Sequence, residues 1–465
     1  MTATGEARPG RVVIIGGGPT GLGAAHRLEE LGYDDWVLLE AAPTFGGLAS
    51  SIVDDQGFTW DLGGHVLFSH YEYFDRLTDD LLGDAWLEHV REAWVRMRSR
   101  WVPYPFQNNM WRLPEDDLVA CLRGLVDLNS DHPQRPPETF DDWIMQSFGA
   151  GIADVFMRPY NFKVWAYEPK EMNVAWMGDR VATVDLGRVL ENLVRRRDDV
   201  AWGPNATFRF PAAGGTGAIW DALARRLPDD RLLADHAVAT VDPDRRLVRC
   251  TNGESFPYDH LLSTMPLDTL LQRLEGHDEL TSRHDEFRWS SSHIVGVGID
   301  GDTPDDLATK CWMYFPEDTS PFYRATVFSN YSPANVARPG RQWSLMCEIA
   351  ESARKPVDHQ AVVEATRDGL ERTGLLSRDH VIASEWHTFL PHGYPTPFLG
   401  RDALLADVEP ALRAMGIYTR GRFGAWKYEV SNQDHSLMQG VECIDHLLAG
   451  TPELTFFDPI AVNGR

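Results

Sequence analysis

The first periodic segment of the chain has the pattern of a strand, a helix and a second strand. Residues 11–15 form a mostly continuous apolar run, as buried parallel strands do. Helical spacing and a glycine stop at Gly32 follow, set by Leu22, Ala25, Leu28 and Leu31. The chain returns to a strand pattern at residues 36–40. The segment therefore predicts a βαβ unit.

Two later regions differ from each other in their periodicity. Residues 114–197 are rich in helical spacing, whereas residues 293–299 and 324–328 form strand-like runs. Helices first and strands later predict two further regions inserted into the domain that holds the βαβ unit.

Composition narrows the classes of protein. A chain of 465 residues can bury at least one large core, and its net charge of −25 disfavours binding to a nucleic acid backbone. No stretch approaches the about 18 to 20 apolar residues that a membrane span requires, and the first residues carry no apolar signal segment, so a cytoplasmic location is expected. The five scattered cysteines show no metal-binding spacing, and no metal site is expected.

The turn after the first predicted strand contains the sequence Gly-x-Gly-x-x-Gly, formed by Gly16, Gly18 and Gly21. In dinucleotide-binding folds the first glycine permits a tight turn, the second lets the backbone approach a pyrophosphate, and the third allows close packing of helix on strand. The helix N-terminus then holds the phosphates.

An acidic residue, Glu40, ends the second predicted strand. A carboxylate there accepts hydrogen bonds from ribose hydroxyls and repels a 2′-phosphate, which favours FAD or NAD over NADP.

The segment after Glu40 separates FAD from NAD. Five residues separate Glu40 from Gly46 and Gly47, a spacing that resembles the glutathione-reductase and amine-oxidase class of FAD proteins. A second glycine pair before His65 includes Gly64 and permits close approach to a flat ring system. From the residues alone, His65 is an ordinary loop histidine. No second Gly-x-Gly-x-x-Gly opens another βαβ unit, so either the flavin is reduced in some other way or NAD(P)H binds transiently near the active site as a reductant.

Longer stretches resemble the eukaryotic-type UDP-galactopyranose mutases, and the resemblance extends from residue 11 to the last residues. The stretches that carry it are residues 64–71, 101–109, 157–165, 202–208, 321–324, 392–397, 421–424 and 428–436.

The resemblance implies an α/β fold with three parts. A Rossmann-like FAD-binding domain would comprise residues 1–78, 206–265 and 416–465, and an inserted helical substrate domain residues 115–192. An antiparallel-sheet substrate domain would comprise residues 79–114, 193–205 and 266–415.

The resemblance also assigns substrate-binding roles. The uracil would contact Tyr104, Phe106 and Gln107; the ribose Asn161 and Trp165; the diphosphate Arg180, Arg324, Tyr314, Tyr331, Tyr394 and Tyr428; and the sugar or its adjoining phosphate Phe68, Asn205 and Asn432. The planar guanidinium fork suits a diphosphate. Taken singly, each of the two arginines could be a surface residue, each tyrosine at the diphosphate could belong to a core, and the segment Tyr104-Pro105-Phe106 could be a packed loop.

In the same way, FAD would contact Arg91, Gly46, Gly47, Arg422 and Gln433, and His65 would lie beside the flavin. The implied reaction interconverts UDP-galactopyranose and UDP-galactofuranose through an adduct between the sugar and N5 of reduced FAD. This makes the chain an isomerase in which Arg180 and Arg324 hold the UDP and His65 responds to the redox state of the flavin.

Three alternatives remain at this stage. The substrate could be a different nucleotide sugar, the chain could be an FAD-dependent amine oxidase or desaturase, or it could bind flavin without catalysis. The segment between Tyr331 and Trp343 is shorter than in fungal relatives, so a homo-oligomer is left open.

Overall fold

The computed structural model describes residues 10–130, 135–177, 181–200 and 206–463, with Ser130 described in its backbone only. Its strands are β1 (Val12–Ile15), β2 (Trp36–Leu39), β3 (Ser51–Val53), β4 (Thr59–Asp61), β5 (Trp86–Val90), β6 (Ala93–Met97), β7 (Arg100–Pro103), β8 (Thr207–Pro211), β9 (Leu232–Leu233), β10 (Val238–Asp242), β11 (Leu247–Cys250), β12 (Ser255–Pro257), β13 (His260–Ser263), β14 (Trp289–Asp300), β15 (Trp312–Tyr314), β16 (Arg324–Val327), β17 (Gln342–Glu351), β18 (Val381–Pro395) and β19 (Ile417–Thr419).

The helices are α1 (Pro19–Glu30), α2 (Glu72–Leu82), α3 (Glu115–Ser130), α4 (Phe140–Ile152), α5 (Arg158–Trp165), α6 (Leu186–Arg195), α7 (Gly217–Ala224), α8 (Leu267–Gln272), α9 (Asp278–Thr281), α10 (Val362–Thr373), α11 (Arg401–Ala414), α12 (Gln433–Ala449), α13 (Leu454–Phe457) and α14 (Pro459–Asn463). Within the described ranges, none of these helices combines the length and the apolar character that crossing a membrane requires.

A five-stranded parallel sheet contains the predicted βαβ unit. Its order is β19-β13-β1-β2-β9, and its strands are buried apolar runs that pack between two hydrophobic clusters. The order reverses between β1 and β13, and in doubly wound sheets ligands bind at the carboxyl ends of the strands at such a point. The predicted Rossmann-like fold is confirmed.

Helices α1 and α12 cross at backbone contact on one face of this sheet. A Cβ atom on Gly23 would lie 2.7 Å from the carbonyl oxygen of Leu437, and one on Gly440 would lie 2.0 Å from that of Thr20. Only glycine permits this separation, so the first helix of the chain is held in place by one from its far end.

A seven-stranded sheet forms the second layered region. Its order is β18-β14-β17-β16-β15-β6-β7, and neighbouring strands are antiparallel except for the parallel pair β6–β15. The prediction of an antiparallel sheet is confirmed for the remaining pairs. Helices α3 to α6, which lie between β7 and β8 in the sequence, enclose a separate apolar core, as the helical spacing predicts. The boundaries of the three domains remain a prediction.

Candidate active site

The turn between β1 and α1 leaves the start of the helix open. Gly18 is the N-cap of α1 and supplies no side-chain hydrogen bond, so the first N–H groups of this helix can serve a ligand. A Cβ atom on Gly18 would have no neighbour nearer than the carbonyl oxygen of Gly46 at 3.8 Å. By contrast, one on Gly21 would lie 1.9 Å from the carbonyl oxygen of Gly16. Packing within the protein therefore does not require glycine at position 18, and the free space there is available to a ligand.

Glu40 lies against this turn at the end of β2. Its Oε2 accepts a hydrogen bond from the backbone N–H of Gly17 at 2.6 Å, and its Oε1 accepts one from the N–H of Ala42 at 2.8 Å. Gly46 donates its N–H to the carbonyl of Gly17 at 2.8 Å, and a Cβ on Gly47 would lie 3.2 Å from Cα of Gly18. The two glycine motifs predicted for FAD thus meet around one cradle.

The loop that carries Gly64 and His65 rests on an ion pair from the seven-stranded sheet. Gly64 donates its backbone N–H to Oε1 of Glu348 at 3.1 Å. A Cβ on Gly64 would lie 2.9 Å from this oxygen and 3.1 Å from Nη2 of Arg324. The loop therefore requires glycine because the ion pair occupies the space of a side chain.

The ion pair itself joins neighbouring strands. Arg324 on β16 and Glu348 on β17 are directly opposite in register, and Arg324 donates to the carboxylate from Nε at 2.5 Å and from Nη2 at 2.7 Å. The hydroxyl of Tyr323 also donates to Oε2 of Glu348, at 2.9 Å. Burial alone would raise the pKa of Glu348, but Arg324 lowers it below its ordinary value. The carboxylate is thus ionised and fixes the guanidinium.

His65 is uncharged in this environment. Burial lowers the pKa of His65 to about 4, with Arg422 and Arg324 acting in the same direction and Glu348 against it. Its Nδ1 atom is buried and has no hydrogen-bond partner among the described residues. A buried polar atom without a partner is costly, so this nitrogen is suited to a bound group.

Aromatic side chains from three segments meet beside Arg422. The ring of Trp165 lies 4.8 Å from that of Tyr428 and 5.8 Å from that of Tyr394, measured between centroids. The guanidinium of Arg422 lies 4.7 Å from the ring of Tyr394 and donates to the carbonyl of Gly393 at 3.0 Å. The structure thus brings together four of the predicted site residues.

A second aromatic group contains the residues predicted for uracil. Tyr104 lies 5.4 Å from Tyr314, and Tyr160 lies the same distance from Tyr314. Phe106 is fully buried and stacks on Phe156 at 4.4 Å, so it lies in the helical core and exposes no ring face. The amide of Gln107 donates to the carbonyl of Ala182.

The remaining predicted residues have the following positions. Asn161 is buried and donates from Nδ2 to the carbonyl of Met157 at 2.7 Å; Asn432 is the N-cap of α12; Gln433 accepts from Nε1 of Trp220 at 2.8 Å; the guanidinium of Arg91 lies 5.8 Å from the ring of Tyr104; Phe68 packs edge-on against His70; and Tyr331 is fully buried beside Phe208, Phe210 and Phe328. Arg180 and Asn205 lie outside the described residues.

Sequence reasoning missed Glu348 and Tyr160. Glu348 interrupts the apolar run of β17. Apart from Glu348 and Ser344, all the residues from Trp343 to Ile349 are apolar. An ionisable residue within a fully buried strand requires a partner, and this signal was available. Tyr160 gave no signal, because an aromatic residue in a helix is usually part of a core.

These positions fit a dinucleotide cofactor. The open helix N-terminus, the free space at Gly18 and the carboxylate of Glu40 are the features by which dinucleotide-binding folds hold their cofactor. The unpartnered Nδ1 of His65 offers a further hydrogen bond to a bound group.

Comparison with known proteins gives one family and several relatives. The family model for flavin containing amine oxidoreductase matches residues 19–421. A crystal structure of reduced UDP-galactopyranose mutase superposes with a TM-score of 0.95 at 50% sequence identity, covering 98% of this chain and 97% of that chain.

Two curated relatives are amine oxidases. A probable flavin-containing monoamine oxidase A from Dictyostelium discoideum is 42% identical over 295 residues, which is 59% of this chain and 61% of that protein. The flavin-containing amine oxidase A of Sus scrofa is 25% identical over 327 residues, which is 66% of this chain and 56% of that protein. The chain thus spans about three fifths of the length of the curated relatives it matches.

Proposed function

We propose that this chain, which belongs to the flavin containing amine oxidoreductase family and, within it, to the UDP-galactopyranose mutases, is a flavin-dependent isomerase. It would interconvert UDP-galactopyranose and UDP-galactofuranose. One observation carries the proposal: the likeness to a UDP-galactopyranose mutase extends over 98% of this chain at 50% identity. The likeness to the Dictyostelium discoideum oxidase covers 59%.

FAD would be held by the cradle around Gly18. Gly16, Gly18 and Gly21 would bring the backbone to its pyrophosphate, Glu40 would accept from its ribose, and Arg91, Arg422 and Gln433 would contact it further along. When bound and reduced, the flavin supplies a nucleophilic nitrogen for the anomeric carbon of the sugar. Gly46, Gly47 and Gly64 would allow the chain to pass close to the ring.

Arg324 would hold the diphosphate of the substrate. Its guanidinium is fixed by Glu348 through Nε and Nη2, so it enters binding already oriented. The hydroxyl groups of Tyr314, Tyr331, Tyr394 and Tyr428 would donate hydrogen bonds to the same phosphates. The guanidinium of Arg180 would bind there as well. Donor groups fixed in position in this way allow a chain with a net charge of −25 to bind an anion.

The uracil would lie against Tyr104 with Gln107 at its edge, and Phe106 would support this wall from the core. Asn161 and Trp165 would contact the ribose, and Phe68, Asn205 and Asn432 the sugar side. Aromatic rings packed in this way exclude water from the reacting centre, which protects a reactive sugar from hydrolysis.

Several partners remain proposals. The arrangement of the site residues fits a UDP-sugar best as the substrate class. NAD(P)H would reduce the flavin by transient binding. A cytoplasmic location belongs to the same proposal.

An assay under reducing conditions tests the proposal. Protein with FAD, dithionite and UDP-galactofuranose is expected to form UDP-galactopyranose, detected by chromatography, and to form none while the flavin is oxidised. Turnover of a different nucleotide sugar alone would indicate a different mutase. Peroxide release with an amine, and no sugar product, would indicate an oxidase and contradict the proposal.

Replacing His65 with alanine is expected to preserve FAD binding but to lower kcat by about 100-fold, the scale of losing one oriented polar group in an active site. The reason is that its buried Nδ1 atom is available to the bound flavin. The measurement is kcat together with the flavin content. His284→Ala is the control, since this imidazole is partly exposed, at 27%, and lies beside Asp285 outside the proposed site. Wild-type turnover in the His65 variant would refute the role.

A further inference from the structure

A cluster of histidines lies on the seven-stranded sheet, on the face opposite Glu348. Glu348 and Glu351 are three positions apart on β17, so their side chains project from opposite faces. His293 on β14 pairs with Ile349 and lies on the same face as Glu351. This cluster is therefore separate from the proposed substrate site.

Three ligand-type groups converge within the cluster. Nε2 of His293 lies 2.9 Å from Oε2 of Glu351, and Nε2 of His359 lies 2.8 Å from the same oxygen. These three atoms all lie within 4.8 Å of one another. The rings of His293 and His359 are nearly perpendicular, at 86°, so the two imidazoles point toward the carboxylate instead of stacking.

The sheet and its aromatic neighbours hold this geometry. His293 is fully buried, and its Nδ1 lies 3.0 Å from Nε2 of His387 on β18. The ring of Phe389 packs on both His293 and His359, at 4.9 and 4.7 Å. The ammonium of Lys355 donates a hydrogen bond to the carbonyl of Ala350 at 2.6 Å and not to the carboxylate of Glu351.

Two imidazole nitrogens and one carboxylate oxygen are the ligand types that Zn²⁺ prefers, at bond lengths of about 2.0–2.2 Å. In a tetrahedral site with such bonds the ligand atoms are separated by about 3.3 Å. The two nitrogen–oxygen distances of 2.9 and 2.8 Å lie close to this value, and all three ligand atoms lie within 4.8 Å of one another, so local adjustment of the exposed His359 side chain would admit the ion. A metal-bound histidine usually donates its other ring N–H to a fixed partner, and His387 is placed to accept it from His293.

A cavity of about 950 Å³ opens beside the cluster and is lined by Glu351, His359 and Phe389 among others. His359 is 48% exposed in its side chain, so an ion can enter from solvent. With three protein ligands, the fourth position would face this cavity and hold water.

We propose that His293, Glu351 and His359 bind one divalent transition-metal ion, exemplified by Zn²⁺, with His387 orienting His293. The site lies outside the reaction centre, and the proposal does not rest on the mutase activity. This metal site differs from the sequence-based expectation of no metal. That expectation rested on the spacing of the cysteines, whereas the register of the strands brings these ligands together. The rival reading is a hydrogen-bonded network without metal.

A competition titration separates the two readings. Full-length, untagged protein is first treated with a chelator, and Zn²⁺ is then added in the presence of a chromophoric chelator. The wild type is expected to bind one Zn²⁺ per chain. His359→Ala and Glu351→Gln are each expected to weaken binding at least about tenfold, since even partners outside the ligand set contribute 10 to 100-fold. His387→Ala is expected to weaken it within that range.

The matched control is His277→Ala, because Nε2 of His277 lies 3.5 Å from Oδ1 of Asp244 in an imidazole–carboxylate pair with no third ligand in the described structure. Its affinity should equal that of the wild type. Thermal unfolding without metal verifies that each variant is folded, and anomalous scattering at the zinc edge locates the ion. Absence of stoichiometric binding, binding unchanged in both ligand variants, or an ion located elsewhere would overturn the proposal.

Discussion

Glu348→Gln is expected to destabilise the protein by about 3–5 kcal/mol, the cost of removing one partner from a buried ion pair. Glutamine preserves the shape but not the charge, and its amide group presents N–H where Arg324, Tyr323 and Gly64 all donate. The guanidinium would then remain largely buried without its anion. Chemical denaturation of the variant and the wild type measures the difference.

The same variant is expected to lose activity through the position of Arg324. A displacement of about 1 Å can reduce turnover by about 100-fold, so kcat/KM for UDP-galactofuranose should fall at least that far at a temperature where the variant is folded. Glu385→Gln is the control, because Glu385 lies on β18 of the same sheet and its pair with Arg367 is partly exposed, at 33% and 40%. Such pairs contribute about 0–1 kcal/mol. Wild-type stability and kcat/KM in Glu348→Gln would show that Glu348 has no positioning role.

Gly18→Ala is expected to preserve the fold but to lower the affinity for FAD by about 100-fold. The new Cβ would have no protein atom closer than 3.8 Å, and the φ angle of −78° suits alanine. The methyl group would instead push the pyrophosphate away from the helix N-terminus, and hydrogen bonds to a charged group are each worth about 1.5–3 kcal/mol. Titration of the apoprotein with FAD, followed by flavin fluorescence, measures the affinity.

Gly187→Ala is the matched control. It makes the same substitution in the first turn of α6, where a Cβ would lie 3.3 Å from Oδ1 of Asp185, and it should leave FAD affinity unchanged. Comparison of the thermal stabilities without FAD verifies that Gly18→Ala folds. An affinity equal to the wild type in Gly18→Ala would mean that the pyrophosphate binds elsewhere.

The βαβ unit could be predicted closely because its signals are local. Residues 11–15 contain β1, the helical spacing from Leu22 onward corresponds to α1, and Glu40 follows β2 directly. Each of these elements depends on periodicity and turn glycines within about a dozen residues. The longer family stretches added the three-part fold and the nucleotide-sugar substrate, which local patterns alone do not provide.

The contacts across the seven-stranded sheet could not be predicted, because they depend on register. Arg324 and Glu348 are opposite each other only because β16 and β17 pair as they do, and a shift by one residue would place the carboxylate on the other face. The position of Phe106 was also not predictable. From the sequence, an aromatic residue flanked by prolines and amides could equally stack on a ligand or pack in a core. The stacking of Phe106 on Phe156 depends on how the helical region folds back.

The crossing of α1 and α12 has a consequence for synthesis of the protein. The turn that would take the pyrophosphate leaves the ribosome early, but β13 and β19 of its sheet and the helix that packs on it at Gly440 follow more than two hundred residues later. A nascent chain therefore contains the nucleotide-binding turn before β13, β19 and α12, which pack around it, have been synthesised. We expect flavin loading to await release of the finished polypeptide, with chaperones protecting the early apolar strands until then.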